Sequence, residues 1–393
     1  MTKIQNNRQL KIATAGDRFS INWQTSELSW AALVDRLRVP IRTPETYAEY
    51  VKLGVREQSN LKDVGGFVGG ALSGTRRKAA NVTGRDLVAL DFDNIESGAT
   101  DTVIKRVRTL GCAAAIYSTR KHAGHAPRLR ILLPSDRTMT TDEYEPIARK
   151  LADRIGIEWA DPTTFEAVRL MYWPSVSSDS EYVFEVIDKP FFSADGVLQL
   201  YEDWTDVRTW PQTPGAEMEI RKSVARAEDP TEKRGIIGAF CRTYDIHSAI
   251  EKFIPKVYES GGSGDRYTYM GGSTQGGAGV DDDGKFLYSH HATDPTSGQL
   301  VNAWDLIRLH RFAELDDEAK QGTPVVRLPS SEAMKQFALE DEPTAHTLRM
   351  ERTAEALNLF EEVLPEEEAP EEALDVSWIN QLTLDANGKF QKT

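Results

Sequence analysis

The strongest constraint on this chain is the order in which strand-like and helix-like segments follow one another between residues 86 and 187. Residues 86–92 (DLVALDF) form a short apolar run that reads as a strand. Residues 100–110 place Val103, Val107 and Leu110 at helical spacing and stop at Gly111, a natural C-cap. Residues 112–118 read as a second buried strand, and residues 128–133 alternate as a third. Thr140 and Glu143 are spaced as a capping box ahead of Tyr144, Ile147, Leu151 and Ile155, and residues 182–187 close the series as a strand. The order β-α-β-β-α-β predicts an α+β fold with a split βαβ core, in which two helices cover one face of a mainly antiparallel sheet. The other face is then expected to be free for a ligand.

At 393 residues the chain has room for two folded units and a linker. Residues 1–190 are expected to form the first domain, with residues 1–85 as a mixed α/β extension that includes a glycine-rich stretch at 65–74. Residues 191–230, with Trp204 and Trp210, read as a connecting segment packed on a surface. Residues 231–315 are expected to be a second, smaller and mostly helical domain. It shows helical spacing at Ile236, Phe240, Ile250 and Phe253, short strands around Tyr267 and Leu287, and a closing helix capped by Asn302. Residues 316–393 are rich in Pro and Glu and read as a largely disordered acidic linker. The closing SWINQLTLDANGKFQKT looks like the approach to another domain, so the chain is expected to be a fragment or a short form of a larger protein.

Several classes of function are disfavoured. No run approaches the roughly 20 apolar residues that span a bilayer, and the N-terminus lacks the apolar stretch of a secretory signal. Only Cys112 and Cys241 occur, which supports neither a disulfide framework nor a cysteine zinc site and suggests a reducing cytoplasm. The formal charge of −14 argues at first against a nucleic-acid partner. However, residues 361–375 carry seven Glu and Asp375 with no Lys or Arg, leaving −6 for the rest, so local basic grooves remain available.

The chemistry concentrates at Asp91-Phe92-Asp93. Side chains alternate along a strand, so Asp91 and Asp93 share one face while Phe92 enters the core. Paired carboxylates at a strand end suit Mg²⁺ or Mn²⁺, which take oxygen ligands and keep substrate phosphates in their shell. The bland alternative is a pair of solvated acids where a strand enters a loop. Tyr117 to His122 (YSTRKH) brings a basic cluster to the end of the second strand, and Arg128 and Arg130 project to one face of the third. Arg forks match phosphate oxygens bidentately, and an imidazole can donate to phosphate. Asp161, in WADPTTFE, is either a third carboxylate of the site or a helix N-cap, with Glu166 as the substitute.

The motifs ALDFDN, YSTRKHxxxxPRLR and DPTTFExxRLMYWP resemble the three motifs of the archaeo-eukaryotic primase superfamily. The likeness is strongest, over residues 60–190, to the primase-polymerase module of phage and prophage replication proteins of the virulence-associated protein E kind. The resemblance implies an RRM-like split βαβ catalytic core and a template-directed nucleotidyltransferase acting from a bacterial host cytoplasm. Two ions, Mg²⁺ or Mn²⁺, would be held by Asp91, Asp93 and Asp161, which would also be the catalytic residues. The implied nucleotide-binding set is Ser118, Arg120, His122, Arg128, Arg130 and Arg169. The family's second motif is small-x-His, whereas here the residue two after Ser118 is Arg120 and His122 follows two further on. Arg76, Arg77, Lys78 and Lys121 are candidates for DNA contact. The implied partners are a single-stranded DNA template, NTP or dNTP, and a helicase domain or subunit of superfamily 3. Two other readings of the same residues are a metal-dependent nuclease or relaxase-like initiator and a non-catalytic DNA-binding module.

Two further features carry less. Residues 279–286 imitate a phosphate loop, but Phe286 stands where a hydroxyl should be and three acids would repel phosphate, so a hairpin turn is expected. His290 and His291 are adjacent, and on a strand they would point to opposite faces and could not share one ion.

Overall fold

An N-terminal layer, which the sequence pattern described only loosely, precedes the β-α-β-β-α-β segment and packs against it. A computed structural model describes residues 4–215, 224, 226–261, 265–281, 283–319, 323–363, 382–384 and 390–392. The chain begins with β1 (Gln9–Ala15), β2 (Gln24–Ser29), α1 (Trp30–Arg38), β3 (Ile41–Thr43), α2 (Tyr47–Tyr50), α3 (Val55–Lys62), β4 (Gly66–Val68) and β5 (Gly70–Leu72). Antiparallel pairing joins β1 to β2 and to β4. The Ser29 hydroxyl accepts from the Ala32 N–H and starts α1, which buries Trp30, Leu33, Val34 and Leu37, one helical stripe. Two glycines of the predicted glycine-rich stretch sit where backbones touch. A Cβ on Gly66 would lie 2.5 Å from the Met171 carbonyl oxygen, and one on Gly70 would lie 2.1 Å from that of Gly84.

The core follows as β6 (Val82–Phe92), α4 (Thr100–Thr109), β7 (Ala114–Ser118), β8 (Leu129–Met139) and α5 (Thr141–Ile155). After it come β9 (Met171–Tyr172), β10 (Ser175–Ser177), β11 (Phe184–Ile187) and α6 (Ala194–Leu198). The α+β class is as expected. The main sheet runs β11-β7-β8-β6-β5, so the helix-linked strands β6 and β7 are separated by β8, which is antiparallel to both. The capping box ahead of α5 is present: Thr140 accepts from the Glu143 N–H, and the Glu143 carboxylate accepts from the Thr140 N–H.

Alternation along the long strands builds two cores. Val88, Leu90, Phe92, Ile116, Ile131 and Leu133 pack with Val103, Val107, Tyr144 and Ile147 of α4 and α5. Leu87, Ala89, Ala115, Tyr117 and Leu132 face the opposite way and pack against Leu10, Ile12, Trp30, Leu33 and Phe67. This second face was expected to be free for a ligand, and that expectation is corrected here. The N-terminal layer covers it, because its residues are as apolar as those on the helical side, and Asp91 and Arg130 line a cleft beside it.

The second half contains α7 (Gly235–Thr243), α8 (Ile246–Phe253), β12 (Tyr258–Ser260), β13 (Arg266–Tyr269), β14 (Ala278–Val280), β15 (Phe286–Ser289), β16 (Leu300–Asn302), α9 (Ala303–Phe312), α10 (Pro329–Glu340) and α11 (Glu342–Val363). The expectation of a mostly helical domain is corrected. The strands β12 to β16 form a five-stranded antiparallel meander in sequence order, each strand only three or four residues long and too short to show a period of two. Its core joins Phe240, Ile250, Leu287, Val301, Trp304 and Ile307 to Met334 and Ala338 of α10. Residues 329–340, which composition assigned to a disordered linker, are therefore a packed helix. Asn302 caps α9 by accepting from the Asp305 N–H, as expected. β14 and β15 pair as an antiparallel hairpin, and Gly284 between them has φ 68°.

Residues 1–347 form one compact unit. In the second unit, residues 348–393, the described residues are the end of α11 and a hairpin of β17 (Leu382–Leu384) and β18 (Phe390–Lys392). Most of the acidic run at 361–375 lies outside the described residues. No helix among the described residues is long and apolar enough to cross a membrane.

Candidate active site

Strand register decides which side chains meet. Asp91 of β6 stands opposite Arg130 of β8, and Arg130 stands opposite Tyr117 of β7, so the three form a row across the sheet. The segment after α5 is drawn alongside β6: the Asp93 N–H donates to the Trp159 carbonyl at 3.0 Å, and the Asp161 N–H donates to the Asp91 carbonyl at 2.9 Å. Thr164 ties the same place together, accepting from the Asp91 N–H and donating to the Ala89 carbonyl. The third acid therefore reaches the DxD pair through backbone pairing that no sequence spacing displays.

A cleft of about 210 Å³ opens there, lined by Asp91, Asp93, Asp161, Arg120, Lys121, Arg128, Arg130 and Arg169. Of the fourteen residues that line it, six are cations once Lys62 is added, against three acids. The remaining wall is Tyr50, Val55, Gln58, Ser59 and Thr119. Every predicted acid is in the cleft, together with five of the predicted cations.

The acids differ in what holds them. Arg130 grips Asp91 bidentately, Nε to Oδ1 at 2.6 Å and Nη2 to Oδ2 at 3.0 Å, and its Nη1 donates to the Tyr117 hydroxyl and the Tyr172 carbonyl. Burial alone would raise the Asp91 carboxyl, but the charge and hydrogen bonds of Arg130, then Lys62 and Arg169, hold it below the usual carboxylate range. Asp93 pairs with Arg128 at 2.6 Å, with both side chains about one-third exposed. Burial raises the Asp93 pKa, Arg128 opposes that, and the neighbouring Asp91 and Asp161 add to it. Asp161 is a cap, as one of the two readings had it, and it also lines the cleft. Its Oδ1 caps the turn at Pro162–Phe165 by accepting from the Thr163 N–H and hydroxyl, and its Oδ2 faces Arg169 at 3.3 Å. Glu166, the substitute, does not line this cleft; it lines a separate one with Glu145, Arg149 and His290.

Three acids supply hard oxygen donors of the kind Mg²⁺ and Mn²⁺ take. Among the described residues, however, no three His, Cys, Asp or Glu side chains lie close enough to form a metal cluster by themselves. Any ion held here must complete its shell with substrate phosphates and water, as Mg²⁺ commonly does.

Not every predicted residue reaches the cleft. His122 is turned into its own loop, where Nδ1 accepts from the Arg128 N–H at 3.1 Å, and burial lowers its pKa. Of the two second-motif candidates for the triphosphate, Arg120 lines the cleft and His122 does not. Ser118 is fully buried and accepts from the Val183 N–H. Arg77 donates to the Val168 carbonyl and lies over Trp23, Lys78 pairs with Asp317, and Arg76 is half-exposed; none of the three lines the cleft. Residues the sequence reasoning missed are Lys62 and Tyr50, both from the N-terminal layer. Nothing in the pattern of residues 47–62 marks them, since their proximity depends on how that layer folds over the sheet. His291 is fully buried and accepts from the Tyr269 N–H, whereas His290 points to Glu145, so the adjacent histidines do diverge.

A model of the VapE N-terminal domain family matches residues 1–213. A comparison with curated proteins finds no match. Among solved structures, the AEP domain of the primase-polymerase (PrimPol) of cyanophage S-2L is similar at 11% identity and a TM-score of 0.28, covering 50% of this chain and 89% of that one.

Proposed function

The chain belongs to the VapE N-terminal domain family through residues 1–213, and from that premise we propose that it is a template-directed nucleotidyltransferase that joins NTP or dNTP to a 3'-hydroxyl on single-stranded DNA. The observation that carries this reading is the charge in one cleft, where six cations face three carboxylates. A surplus of positive charge beside oxygen donors suits a triphosphate, since positioning and charge neutralisation dominate phosphoryl transfer. A cutting enzyme handles one scissile phosphate at a time and has less use for that surplus. In this reading the core of β6, α4, β7, β8 and α5 is RRM-like.

The reaction forms a bond from the 3'-oxygen to the α-phosphorus, breaks the bond from that phosphorus to the bridging oxygen and releases pyrophosphate, while the 3'-hydroxyl proton passes to water. Asp93 and Asp161 would hold Mg²⁺ or Mn²⁺, two ions in all when Asp91 is also engaged. An ion held by these carboxylates would supply charge that lowers the pKa of the 3'-hydroxyl and neutralises the leaving group. Arg120, Arg128 and Arg169 would orient the phosphates through their donors, while Arg130, whose fork is taken by Asp91, would contribute its charge. Asp91 sets the orientation of Arg130 through the bidentate pair. Lys121, exposed at the rim, would meet the template backbone. A replicative helicase remains the proposed partner, and host cytoplasm the proposed location.

The test is incubation with primed and unprimed single-stranded DNA, labelled nucleotides and Mn²⁺ or Mg²⁺, comparing wild type with Asp93→Asn on a denaturing gel. Stepwise extended products that vanish in the variant are expected. Shortened template in place of extension would replace this reading with a nuclease, and DNA binding without either product would reduce the chain to a binding module.

A further inference from the structure

Each arginine lining the cleft is matched to a carboxylate of the fold: Arg120 with Glu45, Arg128 with Asp93, Arg130 with Asp91 and Arg169 with Asp161. Lys62, the last residue of α3, forms no ion pair among the described residues. Its ammonium lies 4.9 Å from the centroid of the Tyr172 ring. It is half-buried in the cleft wall, within electrostatic reach of Arg130, Asp91, Asp93 and Arg169. A lysine in the last turn of a helix is favourable for the helix dipole, which would explain a lysine here. The dipole does not explain why the side chain turns inward, away from water, to where two guanidinium groups as well as two carboxylates face it.

A second observation in the same cleft points the same way. Arg120 is 3% exposed, stacked over the Tyr50 ring at 4.5 Å, with its Nη2 spent on Thr43 and Glu45. Its Nε and Nη1 are buried and have no hydrogen-bond partner. Buried donors left without a partner are unfavourable, and beside a cleft they leave hydrogen-bonding capacity that a ligand oxygen can take up. The cleft thus holds one lysine without a carboxylate partner among the described residues, on α3, and one arginine, pinned by Thr43 and Glu45 of the N-terminal layer, that keeps two nitrogens without hydrogen-bond partners.

We propose that Lys62 is a phosphate-binding residue of this cleft, sharing the terminal phosphates of the incoming nucleotide with the unpartnered donors of Arg120. The proposal rests on the nucleotidyl-transfer reading and names which phosphates the N-terminal layer takes. A point-charge ammonium suits the mobile terminal phosphates, whereas the sheet arginines, fixed by their carboxylates, suit the reacting one. Burial and the nearby Arg130 charge lower the Lys62 pKa, and an arriving polyanion reverses that effect.

The experiment is calorimetric titration of the full chain with inorganic tripolyphosphate in the presence of EDTA, using wild type, Lys62→Ala and Lys62→Arg, with thermal unfolding of all three. Metal-free binding by wild type is expected, weakened roughly tenfold in Lys62→Ala, as for the loss of one charge-assisted contact, and largely restored in Lys62→Arg. In extension assays the nucleotide KM should rise in Lys62→Ala by more than kcat falls. Absence of tripolyphosphate binding by wild type, or equal affinity in a Lys62→Ala protein of unchanged stability, overturns the proposal. Extension by wild type with an unaltered KM in Lys62→Ala removes Lys62 and leaves the polymerase reading standing. Lys62-dependent binding without any extension does the reverse.

Discussion

The two acids of the DFD motif are separated by one residue and yet have different duties. Asp91 is nearly buried and gives both oxygens to a buried Arg130, whereas Asp93 meets Arg128 where both are about one-third exposed. Removing one partner of a buried pair leaves an uncompensated charge and costs about 3–5 kcal/mol, while an exposed pair is worth about 0–1 kcal/mol. Asp91→Asn is therefore expected to lower the urea midpoint strongly and Asp93→Asn hardly at all, though both should abolish extension; equal losses would show that the Arg130 pair is not structural. The same pair ties stability to pH. Because the folded Asp91 pKa is depressed, its contribution is fully present above the unfolded carboxylate value of about 3.9 and disappears as pH falls through the lower folded value. Lys62 has the opposite bearing. Only its protonated form attracts phosphate, so binding is complete below its pKa and weakens as pH rises through it. Since that pKa is lowered, tripolyphosphate affinity should begin to fall at a pH below that of an ordinary lysine, and the fall should be absent in Lys62→Arg.

At the scale of elements, the site depends on a short strand that few sequence signals would reveal. Pairing of β4 with β9 sets Gly66 opposite Tyr172, whose carbonyl accepts from Arg130 Nη1 at 2.8 Å. A methyl at Gly66 would strike the Met171 carbonyl and push β9 away from Arg130. Gly66→Ala should cost about 1–3 kcal/mol in a denaturant titration and weaken nucleotide binding. Gly16→Ala, with nothing within 4 Å of the added carbon, should change neither. The contrast between legible and hidden elements has a physical reason. Caps and periodicity are local, so the Thr140 capping box, the Asn302 cap, the arrest at Gly111 and the inward turn of Phe92 could all be read from the chain. The placement of Asp161 beside Asp91, of Lys62 in the cleft and of the N-terminal layer over the sheet depends on pairings between distant segments, which leave no local trace. The three- and four-residue strands of the meander were too short for alternation to register, and helical spacing nearby suggested a helical domain. His122 misled because a motif position was read as a direction, whereas its imidazole serves the loop between β7 and β8.

For the molecule as a whole, the tension lies between a net charge of −14 and a cleft in which cations outnumber acids two to one. Eight of those negative charges belong to residues 361–375, so the remainder carries −6 and the cleft's positive potential is local. Local fields act on phosphates within about a Debye length, roughly 10 Å at 0.1 M salt, while net charge acts on a DNA strand while it is still approaching. The acidic run should therefore oppose DNA capture without altering nucleotide binding. Replacing its seven glutamates by glutamine, together with Asp375→Asn, would raise the net charge to −6. In fluorescence anisotropy with labelled single-stranded DNA, that variant should bind several-fold more tightly at low salt, mainly through a faster on-rate, and the gain should vanish toward 0.5 M as an order of magnitude for full screening. Tripolyphosphate affinity, set by the cleft, should stay the same in both proteins. A gain that persisted at high salt would mean that the acidic run occupies a DNA site directly and does not act through the field of the whole chain.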